Sequence, residues 1–112
     1  DQSFGWFAYN PGNVRGSEIH ICTNVATTEA QRWETLRHEA VHVAQMCSNP
    51  NHGHTFETVT TWSFLKQNAY ESDAQFITSS YPQEKWGIEL EAFTLMRESN
   101  GVILNFVAQA CR

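Results

Sequence analysis

Apolar and polar positions near the amino terminus follow the two-residue period of a strand. In Glu18-Ile19-His20-Ile21-Cys22, Ile19 and Ile21 share one face while Glu18, His20 and Cys22 share the other, the pattern of a half-buried strand. The stretch Gly5 to Thr23 is rich in aromatic and turn residues. Asn10-Pro11-Gly12-Asn13 reads as a turn between two short extended segments, so a hairpin or small sheet is expected here.

At Thr28 the pattern changes. Thr28 followed three residues later by Gln31 is a capping-box signature, and no Gly or Pro interrupts the stretch from Glu29 to Cys47, which is assigned to the main helix. Ser48-Asn49-Pro50-Asn51 ends it, since a proline disfavours helical geometry in the residue before it. A second helix is expected from about Thr55 to about Gln67, although its Thr-rich centre lowers helix propensity. The stretch through Ser72 and Ser80 reads as loop. Pro82 suits the first position of a helix from about Pro82 to Glu98, Asn100-Gly101 supplies its stop, and a last short helix runs from Val102 to about Ala110. The fold class is α+β, a small N-terminal sheet followed by several helices, in one domain over residues 1–112.

Composition adds boundaries. With 41% apolar and 17% charged residues, the chain of 112 residues has the makeup of an ordinary folded domain, and no segment is long and apolar enough to span a membrane. A formal charge of -5 opposes the phosphate backbone, and the seven Lys and Arg residues are scattered, so no nucleic-acid partner is expected. A monomer is expected. Cys22, Cys47 and Cys111 have no C-x-x-C spacing, which argues against a cysteine-based zinc or redox site. Cys47 and Cys111 both fall at expected helix ends and are expected to pair, leaving Cys22 free. The bridge, together with Asp1 in place of an initiating Met, leans toward an exported protein, with a cytoplasmic one left open.

The chemistry is concentrated in His38-Glu39-Ala40-Val41-His42. Histidines four residues apart on a helix project from one face and can ligate the same Zn²⁺ ion. The intervening glutamate is placed to take a proton from a water that the metal has acidified, acting as general base rather than ligand. Apolar Ala40, Val41, Val43 and Ala44 surround the motif, so this helical turn is expected to be partly buried, where idle ionisable groups would be costly.

This motif resembles the zincin superfamily of zinc metallopeptidases. The resemblance implies hydrolysis of peptide bonds, a peptide or protein substrate laid antiparallel to an edge strand, for which Glu18 to Cys22 is the candidate, and a third protein ligand later in the chain. Two segments compete for that ligand. Glu89-Leu90-Glu91-Ala92-Phe93 resembles the Glu-x-x-Ala segment of gluzincin-like families such as the ImmA/IrrE peptidases, with Phe93 where those families place Asn or Asp. His52-Gly53-His54-Thr55-Phe56 resembles the His-Gly-x-x-Phe segment of SprT-like proteases.

Periodicity favours Glu89, which shares a helix face with Ala92, Phe93 and Met96, whereas Glu91 falls near Thr94 and Glu98. The expected metal ligands are therefore His38, His42 and Glu89, with Glu39 as base and His52 or Glu91 as alternatives to Glu89. Tyr81 and His54 are the candidates for stabilising an oxyanion, and the Trp and Phe residues are read as core. The competing function is a non-catalytic structural or interaction module in which the same residues hold a closed zinc site.

Overall fold

The computed structural model of the chain describes residues 4–8, 10, 17–48 and 56–111. Among these residues a two-stranded antiparallel sheet precedes five α-helices, an α+β arrangement. Strand β1 is Gly5–Ala8 and β2 is Glu18–Ile21, paired so that Gly5 faces Ile21 and Phe7 faces Ile19. The turn expected at residues 10–13 lies largely outside the described residues. β1 and β2 both pack on helix α1 (Glu29–Ser48), and Gly5 makes that approach possible. A Cβ there would collide with the His20 carbonyl oxygen and come within 2.8 Å of Thr35 Cγ2.

Helix α1 begins at the expected capping box. Gln31 N–H donates to Thr28 Oγ1 and Thr28 N–H donates to Gln31 Oε1, both at 3.1 Å. The second helix is shorter than expected: α2 spans Trp62–Asn68, capped by Thr61, whose hydroxyl accepts from Phe64 N–H. Residues 56–60 stay out of it: the Glu57 N–H donates to the Gln45 carbonyl, and the Val59 and Thr60 N–H groups donate to the Glu91 carboxylate. The stretch read as loop is instead helix α3 (Glu71–Ser80), whose buried residues are Asp73 and Ile77. Asp73 makes a bidentate pair with Arg97, and Arg97 lies 4.2 Å from the centre of the Tyr70 ring, so tertiary contacts hold a helix whose Ser and Thr content gives little local support.

The expected Pro82–Glu98 helix is divided. Pro82 caps a 3₁₀ turn, Gln83–Lys85, and α4 runs from Trp86 to Leu95. Asn100-Gly101 opens α5 (Asn100–Ala110) rather than stopping α4, because Ser99 caps the new helix by accepting from Val102 N–H. Arg37 of α1 fixes the turn between them, donating to the Met96 carbonyl at 2.7 Å and to Asn100 Oδ1 at 2.9 Å.

Helix α1 packs against both α4 and α5, and Val41, Ala92, Leu95 and Ile103 form the core between them. The buried centre of the core is aliphatic, with Phe64 and Phe106 packed against it, whereas Trp6, Trp33, Trp62, Phe4 and Phe76, also expected in the core, are exposed. Cys47 and Cys111 are disulfide-bonded with Cα atoms 4.8 Å apart, joining the ends of α1 and α5, and Cys22 is free. Among the described residues no helix is long and apolar enough to cross a membrane.

Candidate metal centre

His38 and His42 lie on adjacent turns of α1, and α4, packed against that helix, brings Glu89 between them. Glu89 Oε1 is 3.3 Å from His38 Nε2, and Oε2 is 3.4 Å from His42 Nε2. One ligand atom from each residue falls within 4.8 Å of the other two. Donors at about 2.0–2.2 Å from a tetrahedral zinc stand about 3.3–3.6 Å from each other, so these two separations suit groups sharing one ion. Among the described residues Glu89 Oε1 is the buried side-chain oxygen without a hydrogen-bond partner. A cation is the partner that such an oxygen calls for.

The electrostatics have the same origin. Burial alone would raise the Glu89 carboxyl above its ordinary 4.5, but contact with His38 and His42 outweighs it and brings the value down to about 2. Burial would lower His42, yet the Glu89 carboxylate beside it raises the imidazole above its ordinary 6.5. Glu39, with Oε2 3.8 Å from His38 Nε2, is pushed up by burial, with Glu89 adding to the shift and the two histidines opposing it.

Glu39 and His38 face a cavity of about 680 Å³ whose apolar walls include Phe4, Phe76, Tyr81, Phe93 and Met96. Gly5 also lines it, so β1 borders the cavity and β2, the strand expected to do so, supplies none of its lining. The reason is the Gly5 approach to α1, which puts the start of β1 over this part of the helix. Phe93, standing where the gluzincin-like pattern has Asn or Asp, sets its ring edgewise to His38 with centroids 4.7 Å apart. Burial, reinforced by Glu89 and Glu39, pushes the Tyr81 phenol up to about 12, so it remains an O–H donor at neutral pH.

A family model described as a domain of unknown function, DUF8637, matches residues 8–111. The chain belongs to that family. The matched span of this DUF8637 member contains His38, Glu39, His42 and Glu89, and the family description assigns no activity. No curated protein and no solved structure matches the chain.

Of the remaining candidates in the DUF8637 domain, His52 and His54 lie outside the described residues. Glu91, expected on the more solvated side of its helix, is completely buried and turned away from the cluster. Its carboxylate accepts from Val59 N–H, Thr60 N–H and Thr60 Oγ1–H at 2.5–3.0 Å, and from Gln45 Nε2 at 3.0 Å. Gln45 itself was not singled out from the sequence. The available signal was its place three residues after His42, the spacing that puts two side chains on one helix face.

Proposed function

We propose that the domain is a small zincin-like, zinc-dependent metallopeptidase with His38, His42 and Glu89 as ligands and Glu39 as general base. The observation that carries this reading is the convergence of the three ligand atoms within 4.8 Å, with the Glu39 carboxylate 3.8 Å from His38 and both of these residues lining the cavity. The Glu89 geometry favours the gluzincin-like relationship over the SprT-like one. A closed structural zinc site, the other reading, has no use for a second carboxylate that faces a cavity.

When bound, zinc supplies a Lewis acid that acidifies water and polarises a carbonyl oxygen. Glu39 accepts the proton of the attacking water on its carboxylate and returns it to the departing amide nitrogen. Tyr81, protonated throughout the neutral range, offers its O–H to the carbonyl oxygen on which negative charge develops. The apolar cavity accepts a bulky apolar side chain next to the bond that breaks, burying it against Phe76, Phe93 and Met96.

The test is Glu39→Gln. Wild type should carry one zinc per chain and cleave a peptide library beside large apolar residues. The variant should keep its zinc and lose hydrolysis by at least two orders of magnitude, the scale of a lost general base. Metal loss in the variant, or turnover that persists, would reject the assignment.

A further inference from the structure

The side of His42 that faces away from Glu89 carries an arrangement that the peptidase reading does not use. His42 Nδ1 is 2.8 Å from Gln45 Oε1, and Gln45 Nε2 is 2.8 Å from the Ile88 carbonyl and 3.0 Å from Glu91 Oε1. Gln45 and Glu91 are both completely inaccessible to water. The two oxygens around its nitrogen fix the orientation of the Gln45 amide, since turning it over would set an acceptor against two acceptors in a buried place.

With the amide fixed, its oxygen can only accept. His42 Nδ1 must then carry a proton, and the neutral ring leaves its lone pair on Nε2, the atom 3.4 Å from Glu89. Glu91 is in turn held by the backbone of Val59 and Thr60, so the same carboxylate anchors the segment that carries Phe56, whose ring stacks on His42 with centroids 6.0 Å apart.

We propose that Gln45 and Glu91 are positioning residues for the metal centre: Gln45 sets the tautomer and ring orientation of His42, and Glu91 locks Gln45 while tying the Phe56–Thr60 segment to the same point. This rests on the metal-site reading above, and it adds a requirement that the His-Glu-x-x-His motif does not contain. Loss of a group that orients a histidine ligand weakens metal affinity by roughly 10–100-fold.

Two measurements decide it. In Gln45→Met, which preserves volume and leaves Glu91 its backbone donors, zinc affinity should fall by roughly 10–100-fold while the folded circular dichroism spectrum is kept. Nitrogen-15 NMR of wild type should find the His42 proton on Nδ1, both with zinc and in metal-free protein at alkaline pH. Unchanged affinity in folded Gln45→Met, or a proton on Nε2, would each overturn the proposal. A wild type that takes up no zinc would reject the peptidase reading instead, and the metal-free NMR arm would still decide the tautomer. Should Gln45→Met not fold, the NMR measurement decides.

Discussion

Glu89 and Glu91 sit one turn apart at most on α4, both nearly inaccessible to water, and burial alone does not tell them apart. Their partners do. Glu91 is saturated by donors from the protein, whereas Glu89 faces two imidazoles and keeps an oxygen unsatisfied. Glu89→Ala should therefore release zinc and give a melting temperature that no longer responds to a chelator. Glu91→Ala should lower the melting temperature of metal-free protein, because it strands the half-buried Val59 and Thr60 N–H groups and takes one acceptor from the buried Gln45 amide, where a donor left unpaired costs about 1–3 kcal/mol. Zinc retained in Glu89→Ala and lost in Glu91→Ala would reverse the two assignments.

Protons compete with metal for the same imidazoles, which gives the centre a pH signature. The His42 pKa is raised above its ordinary 6.5, so in metal-free protein its contact with Glu89 stabilises the fold fully below that value and is lost as pH rises through the raised one. Glu89 is depressed from 4.5 to about 2, so its contribution is present above 4.5 and disappears as pH falls toward 2. Chelated protein should thus melt highest between about pH 4.5 and 6.5, with apparent zinc affinity climbing on the alkaline side of that window. A melting temperature flat across the range would show that the histidines and Glu89 are not coupled.

At the scale of elements, what could be read in advance was what local chemistry decides. The α1 start depends on a capping box contained within four residues, and the structure forms both of its bonds. Removing one partner, in Thr28→Ala, should cost about 1 kcal/mol and lower the melting temperature by about 4 °C, measured by thermal denaturation. The Cys47–Cys111 pairing was expected from helix ends, and Glu89 as the partner of the His38–His42 face from the Glu-x-x-Ala resemblance together with helix periodicity. What was missed depends on distant residues. The α3 helix relies on Asp73 meeting Arg97 twenty-four residues away, and the late start of α2 relies on Glu91 capturing the Val59 and Thr60 amides. Asn100-Gly101 looked like a stop because that pair is common after helices, but Ser99 before it and Arg37 across from it make the same residues a beginning.

At the scale of the molecule, α1 carries the metal face in its middle and the disulfide at its end, with Cys47 five residues beyond His42. The bridge closes a loop across a sequence separation of 64, and restricting the unfolded chain in this way is worth about 4 kcal/mol in the chain-entropy account. A constraint of that kind acts on the unfolded ensemble. Zinc acts on the folded state, by mass action, adding about 2.7 kcal/mol when free metal exceeds the dissociation constant a hundredfold. The two effects should be independent. Replacing both Cys47 and Cys111 with Ser should lower the melting temperature while leaving the zinc dissociation constant, and the upward shift that zinc produces, close to those of wild type. Thiol titration of denatured wild type should find one reactive group before reduction and three after it. If the double replacement also weakens zinc binding severalfold, the bridge is holding the end of α1 in the orientation that the histidines need, and its stabilisation belongs partly to the folded state.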